Sequence, residues 1–334
     1  MSEYVIMPLA DYKAACNTIR SVTGKTDLIK SGDFSSETDT IASKVGKAVF
    51  KSTTMPYASR WSSVVYGDGK FVAISYIYGY AAYSTDGIAW IETTLPNTNS
   101  RWVAVTYGDG KFVAVAEGSS KAAYSTDGVS WIETTLPSVT QWMSLTYGNG
   151  KFVTLSYSNA TAAYSTDGIT WAETTLPSAG SWRSVTYGDG KFVALGYNTK
   201  KVAYSTDGIT WTVITLSYNK VWSSVTYGDG KFVAVAEGSS KAAYSTDGVS
   251  WIETALPSFK TWNSVAYGAG KFVAVADSIG AYSTDGILWH SITSIPSGVW
   301  RSVTYGKDTF VVVPYSSTSF EDKSAYCDLN VGIA

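Results

Sequence analysis

The sequence contains few of the residues on which common catalytic and metal sites depend. Its 334 residues include two cysteines, Cys16 and Cys327, and a single histidine, His290. Two cysteines cannot form a disulfide framework, and one histidine excludes histidine-based catalytic triads and multi-histidine metal sites. Neither a GxGxxG motif nor a P-loop is present. We therefore predict neither a metal site nor a cofactor.

Long apolar runs and an excess of one charge are also missing. Only 16% of the residues are charged, the net charge is −2, and the lysines and arginines are scattered singly. Without a basic stripe to contact phosphates, a nucleic-acid partner is not expected. No apolar run approaches the length of a membrane span, and the first residues lack the features of a secretory signal. We expect synthesis in the cytoplasm without a signal peptide, and no membrane insertion.

Tryptophan and tyrosine are instead abundant, with 13 and 24 copies. The tryptophans fall into two series with a step of about 40 residues, which indicates a repeat architecture. The first series is Trp61, Trp102, Trp142, Trp182, Trp222, Trp262 and Trp300. The second series is Trp90, Trp131, Trp171, Trp211, Trp251 and Trp289.

Each repeat has the pattern of four short β-strands. Asp109-Gly110 joins the first two strands of one repeat and suits a type I′ hairpin, because both central positions of that turn need φ > 0. Four antiparallel strands in about 40 residues are typical of one β-propeller blade. The four β-rich runs of this repeat are Trp102–Tyr107, Lys111–Ala116, Lys121–Ser125 and Val129–Thr134.

The ends of the repeat region indicate how the ring closes. The last unit starts at Trp300 and reaches a third strand near Ala325–Cys327, with no fourth strand after it. Residues 48–56 match the fourth strand of the first unit, at 89–96, and so supply the missing strand. Pairing the two ends removes the unpaired edges of an open ring. We predict an all-β, seven-bladed β-propeller over residues 46–334; the rival, a solenoid, predicts capping units instead of a split one.

The turn between the third and fourth strands reads Ser-Thr-Asp-Gly-x-x-Trp in six units. It resembles the Asp-box of sialidase-like propellers, Ser-x-Asp-x-Gly-x-x-Trp, with one residue fewer before the glycine. The Ser and Asp side chains can accept backbone N–H bonds within such a turn, so we interpret the motif as structural. A calcium loop is the alternative, but one carboxylate per turn is too few. The six aspartates are Asp86, Asp127, Asp167, Asp207, Asp247 and Asp285.

Residues 1–45 lie outside the repeat and are predicted to form a small helical module. Apolar residues recur at helical spacing over 9–22, and a second short helix is predicted over 35–44. Such a piece is too small for a stable core of its own. We expect it to serve attachment or oligomerisation.

Part of this module resembles a segment of minor tail proteins of phages and prophages that infect Gram-positive bacteria. The resemblance implies that residues 1–45 join the propeller to other tail or baseplate proteins, and that the protein resides in the virion or a tail-like particle. It also implies a homo-oligomer, with a trimer expected. The matching residues are Ala15, Ile19-Arg20, Thr23 to Asp27, Ile29-Lys30 and Gly32-Asp33.

The two faces of the predicted ring differ in how much they vary between repeats. The turns joining strands 1 and 2, and strands 3 and 4, lie on one face and are nearly invariant; we call it the turn face. The loops joining strands 2 and 3, and the connections between blades, lie on the other face, which we call the loop face, and they diverge.

A surface that recognises one asymmetric ligand must differ from blade to blade, and Tyr, Asn, Ser and Arg are typical of adaptable recognition sites. Relaxed drift of surface loops is the alternative. The predicted ligand-binding residues are Arg60, Tyr76, Tyr78, Tyr80, Arg101, Gln141, Tyr157, Asn159, Arg183, Tyr197, Asn198, Lys200, Tyr218, Asn219, Asn263 and Arg301.

Two further interpretations of the loop face are open. The first tryptophan series could ring the channel mouth and stack on sugars, although core packing between blades is favoured. A sialidase-like glycosidase would need three converging arginines, a tyrosine paired with a glutamate, and an acid/base aspartate. The carboxylates of the face do not assemble into a catalytic pair by sequence argument, so we predict that the protein is not an enzyme. These carboxylates are Glu117, Glu237, Asp277, Glu321 and Asp322.

The predicted function is a receptor-binding or adhesion protein of a phage tail or tail-like particle. It would recognise a host-surface glycan or another receptor through the loop face. The alternatives are a structural tail or baseplate component, and a sialidase-like glycosidase.

Overall fold

The computed structural model describes residues 49–292, 294–315 and 322–328, and this part of the chain is all-β. The helices predicted over 9–22 and 35–44, with the whole 1–45 module, lie outside the described residues. Within the described ranges no helix is long and apolar enough to cross a membrane.

The described strands follow one another with short turns between them. They are β1 (Lys51–Thr54), β2 (Trp61–Gly67), β3 (Lys70–Ser75), β4 (Tyr80–Ser84), β5 (Ile91–Thr94), β6 (Arg101–Gly108), β7 (Lys111–Ser125), β8 (Ile132–Gly148), β9 (Lys151–Ser156), β10 (Thr161–Ser165), β11 (Ala172–Thr175), β12 (Trp182–Gly188), β13 (Lys191–Gly196), β14 (Thr199–Ser205), β15 (Thr212–Lys220), β16 (Trp222–Gly228), β17 (Lys231–Ala236), β18 (Ser239–Ser245), β19 (Ile252–Lys260), β20 (Trp262–Gly268), β21 (Lys271–Ala276), β22 (Ile279–Ser283), β23 (His290–Ile292), β24 (Trp300–Gly306), β25 (Thr309–Pro314) and β26 (Lys323–Asp328).

The strands form the four-stranded antiparallel blades of a β-propeller. The described residues make six hydrogen-bonded sheets, of which five have four strands and one has six. The six-stranded sheet arises because β8 changes partner along its length: Ile132–Gln141 pairs with β7, and Trp142–Gly148 pairs with β9. The sequence predicts seven blades, whereas the described residues form six hydrogen-bonded sheets.

The ring is closed by a strand from near the start of the chain. β1 pairs antiparallel with β26, with Lys51 opposite Tyr326 and Thr54 opposite Lys323. The sheet order is β1-β26-β25-β24, so β1 is the outer strand of a sheet whose other strands come from the last unit. The predicted pairing of this segment with the last unit is confirmed for Lys51–Thr54.

Each blade contacts the next through a glycine at the end of its first strand. A Cβ added to Gly67 would lie 2.1 Å from Cγ of Tyr107, because that ring packs flat on the glycine. No side chain can occupy such a position without separating the two blades. The same contact joins Gly108 to Tyr147, Gly148 to Tyr187, Gly188 to Tyr227, Gly228 to Tyr267, Gly268 to Tyr305 and Gly306 to Tyr66.

The first tryptophan series forms the core between blades. All seven side chains are at most 1% exposed. The preference for core packing is therefore confirmed, and the alternative that these rings stack on sugars is wrong, because their faces are covered by neighbouring blades.

The Ser-Thr-Asp-Gly turns are internally hydrogen-bonded. In one copy, Asp127 Oδ1 accepts the backbone N–H groups of Val129 and Ser130, each at 2.8 Å, and Ser125 Oγ accepts the N–H of Gly128 at 2.8 Å. The backbone hydrogen bond from Ser130 is the largest influence on the pKa of Asp127, which falls to about 2 despite the opposing effect of burial. These bonds support the structural interpretation, since the carboxylate oxygen is occupied by donors of its own turn.

Candidate functional site

A cavity of about 590 Å³ lies where the first strands of the blades begin. Its wall consists mainly of the one to three residues that follow each tryptophan of the first series. Because β2, β6, β8, β12, β16, β20 and β24 all contribute to this wall, the cavity is central to the ring.

The cavity lies at the loop face. Along each hairpin, the tryptophan end of the first strand pairs with the end of the second strand, as Trp61 does with Ser75. The invariant turns join the opposite ends of these strands, as at Gly67 and Lys70. Four further residues at this end of the blades also line the cavity: Tyr76, Glu237 and Tyr315, each directly after a second strand, and Glu117 within β7.

The first charged cluster consists of Tyr76 and Glu117, which line the cavity, and Arg101, which is exposed and lies outside the wall. The Tyr76 hydroxyl donates to Glu117 Oε2 at 2.7 Å. The Arg101 guanidinium lies 5.8 Å from the centroid of the Tyr76 ring, within the range of a cation–π contact. Burial, followed by the hydrogen bond and charge of Glu117, raises the pKa of Tyr76 to about 12. Tyr76 therefore acts as a hydrogen-bond donor and not as an ionised nucleophile near neutral pH.

A second cluster repeats this chemistry with Arg183, Tyr197 and Glu237. The Tyr197 hydroxyl donates to Glu237 Oε2 at 3.2 Å, and Arg183 Nη2 lies 3.5 Å from Glu237 Oε1. The Arg183 guanidinium is 5.5 Å from the Tyr197 ring, which Tyr157 contacts edge-on at 5.9 Å. Burial, followed by the charge of Glu237, raises the pKa of Tyr197.

A third cluster consists of Arg60, Arg301 and Tyr315. The two guanidinium carbons lie 6.0 and 5.6 Å from the Tyr315 ring centroid. Burial, followed by the charge of Arg183, lowers the pKa of Arg301 to about 10, although Glu237 acts in the opposite direction. Among the described residues no carboxylate lies within 4 Å of either arginine.

Asn263 completes the set of predicted residues that line the cavity with Tyr76, Arg183 and Arg301. Its Nδ2 donates to the backbone carbonyl of Trp300 at 2.8 Å, which fixes the side chain against the next first strand. Nearby Asp277 has a pKa raised by burial.

Tyr78 and Tyr80 are separated from the cavity although they share a loop with Tyr76. Tyr80 stacks on Tyr57 with centroids 4.0 Å apart and planes 10° from parallel. Tyr78 is 58% exposed and contacts Tyr80, at 5.5 Å between centroids. Neither residue lines the cavity, so these three tyrosines do not form one site.

The remaining predicted residues also lie outside the cavity wall. Asn159 Nδ2 donates to Thr140 Oγ1 at 3.2 Å, and Asn219 Nδ2 donates to Asn198 Oδ1 at 3.4 Å. Tyr218 packs edge-on against Trp222 at 6.1 Å. Gln141 and Lys200 are exposed.

The cavity residues missing from the predicted ligand-binding set include Glu117, Glu237 and Tyr315. Position is the signal that could have identified Glu237 and Tyr315, because each directly follows a second strand, as Tyr76 does. Glu117 holds the equivalent place after the second β-rich run of its repeat, within the continuous strand β7.

Comparison with known proteins identifies the fold. No family model matches the chain, and no curated protein matches its sequence. A catalytically inactive virginiamycin B lyase from Staphylococcus aureus, solved with quinupristin, is 16% identical with a TM-score of 0.73; the match covers 83% of this chain and 98% of the lyase chain. YCF48 bound to D1 peptide is 14% identical with a TM-score of 0.67, covering 83% and 96% of the two chains. YCF48 from Cyanidioschyzon merolae is 15% identical with a TM-score of 0.64, covering 84% and 98%. At these identities the similarity shows the β-propeller fold alone.

Proposed function

We propose that this chain is a non-enzymatic recognition protein that binds a host-surface glycan or another receptor at the loop face of its propeller. One observation carries the proposal. All four arginines in the described residues lie at this face, and each guanidinium is within 6.0 Å of a tyrosine ring centroid. Arginine–tyrosine clusters provide polar contacts and stacking surfaces together, which suits a ligand with both hydroxyls and a flat ring face.

The asymmetry of the cavity supports recognition over structure alone. The position after each first-series tryptophan bears Ser62, Val103, Met143, Arg183, Ser223, Asn263 or Arg301. The turn-face residues of the same strands repeat closely, so the scaffold does not require this variety. Ligand contacts that differ around the ring account for it.

The placement in a phage tail or tail-like particle rests on the resemblance of residues 15–33 to minor tail proteins. In this proposal residues 1–45 attach the propeller to neighbouring tail proteins, and several copies act together so that weak single sites suffice for adhesion. Electron microscopy of a particle carrying a labelled chain tests this placement. Label at the distal end of a tail supports it, and a chain absent from purified particles contradicts it.

We also propose that the ring has seven blades. The support is the series of glycine–tyrosine contacts, which passes through seven interfaces, from Gly67–Tyr107 to Gly306–Tyr66, and returns to its starting blade. In this count the six-stranded sheet comprises two blades joined by the continuous strand β8, while β7 supplies the second and third strands of the first of them.

Two other functions have specific support. Binding of a protein partner, as in a structural tail or baseplate component, is favoured by the similarity to YCF48 bound to D1 peptide. A glycosidase or other enzyme is favoured by the similarity to virginiamycin B lyase and by the two glutamates in the cavity wall. The two glutamates are hydrogen-bonded to tyrosines of neighbouring repeats, which argues for a positional role.

A glycan array probed with the full chain tests the recognition proposal. We expect binding by the wild type, and at least tenfold weaker binding by Arg183→Ala, which removes a guanidinium from the cavity wall. Lys231→Ala is the matched control, because Lys231 also pairs with a carboxylate, Asp229 at 3.8 Å, but lies at the turn face. Equal loss in both variants would contradict a site at the loop face. Turnover of a fluorogenic sialoside would favour the enzyme instead.

A further inference from the structure

Arg301 differs in its surroundings from Arg183, the other arginine that lines the cavity. Arg183 has Glu237 at 3.5 Å. Arg301 has the ring of Tyr315 and, among the described residues, no carboxylate within 4 Å. A desolvated cation without a counter-ion is costly, and removal from water is the largest cause of its lowered pKa.

Two hydroxyl groups of the cavity wall are already bonded to the next repeat. Ser62 Oγ donates to the carbonyl of Trp102 at 2.7 Å, and Ser223 Oγ donates to that of Trp262 at 2.5 Å. The Arg301 guanidinium lines the same wall and has no carboxylate within 4 Å among the described residues, so its N–H groups can donate to a ligand.

The cavity also offers acceptors beside this donor. Glu117 and Glu237 are held in place by Tyr76 and Tyr197, and both line the wall. These carboxylates would repel an anion that has no hydroxyl groups to donate to them. A ligand that carries hydroxyls next to an anionic group would instead donate to the glutamates while its anion contacts Arg301.

We infer that the cavity binds an acidic saccharide, whose carboxylate or phosphate oxygens contact the Arg301 guanidinium on the side of Arg183. The inference rests on the proposed function and specifies its ligand. Tyr315 contacts the Arg301 guanidinium through a cation–π contact, with 5.6 Å to the ring centroid. Arg183 lines the same wall, where it is paired with Glu237. Guanidinium is suited to this role because its planar donors match carboxylate and phosphate oxygens in pairs.

Isothermal titration of the full chain with two pairs of probes tests the inference. The first pair is 3′-sialyllactose and lactose, and the second is glycerol 3-phosphate and glycerol. We expect one acidic probe to bind at least tenfold more tightly than its neutral partner; the pair that shows the preference identifies carboxylate or phosphate as the source. Arg301→Ala should abolish the preference, while Arg301→Lys should retain part of it, because the charge remains and the paired donors are lost.

Lys231→Ala again serves as the control, and circular dichroism with thermal unfolding checks that each variant is folded. If glycans bind but acidic and neutral probes bind equally, and Arg301→Ala changes neither, the inference is overturned and the proposed function stands. If no glycan binds, the proposed function fails. In that case, thermal unfolding with inorganic phosphate at fixed ionic strength tests the anion site by itself. Stabilisation of the wild type but not of Arg301→Ala would support an anion site at Arg301. No stabilisation of the wild type would overturn the inference.

Discussion

The two faces of the ring are built from the same strands but follow different rules. At the turn face, each hairpin places two residues at positive φ, as at Asp109 and Gly110, and each 3–4 turn repeats the same serine, aspartate and glycine bonds. At the loop face, the corresponding positions bear Arg, Tyr, Glu, Asn and Met in an arrangement that no rotation of the ring reproduces. The comparison suggests that stability is concentrated at one face and specificity at the other.

The reason lies in what each face contacts. Turn-face residues contact the next blade, so one substitution disturbs an interface that recurs around the ring. Loop-face residues line the cavity or contact solvent, and those that reach the next repeat, such as Ser62 and Asn263, do so through a side-chain hydrogen bond and not through a buried glycine–ring contact. We therefore expect substitutions at the two faces to separate into effects on unfolding and effects on binding.

The largest expected effect comes from Gly108→Ala at the turn face. The new Cβ would lie 2.0 Å from Cγ of Tyr147, and that ring cannot move without separating two blades. We expect the free energy of unfolding to fall by about 3 kcal/mol, measured by denaturant unfolding. Gly110→Ala is the control in the same turn: its Cβ meets nothing within 4 Å, and it costs about 1 kcal/mol through its positive φ. Equal losses in the two variants would contradict the blade contact.

A smaller effect is expected from Asp127→Ala, which removes the acceptor of two backbone N–H groups. We expect a loss of about 1–2 kcal/mol near pH 7. Asp127→Asn keeps an acceptor oxygen but removes the charge, so comparison with the wild type reveals how the stabilisation by that charge depends on pH. The pKa of Asp127 falls from 3.8 to about 2 on folding, so the unfolded chain binds more protons between these values.

The stabilisation by the Asp127 charge is therefore complete above about pH 4 and is lost as the pH falls toward 2. Thermal unfolding of wild type and Asp127→Asn across this range should show the two stabilities converging at the acid end. A difference that stays constant with pH would show that the charge has no part in the turn.

The smallest expected effect is that of Tyr78→Ala at the loop face. Tyr78 is 58% exposed and lies outside the cavity wall, so the free energy of unfolding should change by no more than about 0.5 kcal/mol. Glycan affinity should also be unchanged, whereas Tyr76→Ala on the same loop should weaken it. Loss of binding in Tyr78→Ala would show that the recognition site lies outside the cavity, near the Tyr57–Tyr80 stack.

Most of the fold could be predicted because the tryptophan period and the turn residues are local signals. Asp109-Gly110 specifies its hairpin by itself. The last unit has no fourth strand and residues 48–56 match one, which indicated the pairing of β1 with β26. The turn at Lys307-Asp308 could not be predicted in this way. Both residues have positive φ without any glycine, and no local sequence signal marks the turn. The ladder of the surrounding strands imposes that conformation.

The candidate site was predicted less completely, because it is assembled from several blades. The sequence indicated Arg183 and Arg301 as variable positions after a tryptophan, but it could not show that both face one cavity. Tyr76 and Tyr78 are two residues apart and have opposite environments, since the loop turns between them. Glu117 recurs as Glu237 in a nearly identical repeat, and repetition of a residue does not prevent its use in an asymmetric pocket.

The pairing of β1 with β26 also has a consequence for biosynthesis. Lys51–Thr54 leaves the ribosome before any other described strand, yet its only ladder partner is synthesised after all the other blades. The nascent propeller is thus an open arc until β26 has left the ribosome. The pairing of β26 with β1, and not the completion of any earlier repeat, is the event that closes the ring.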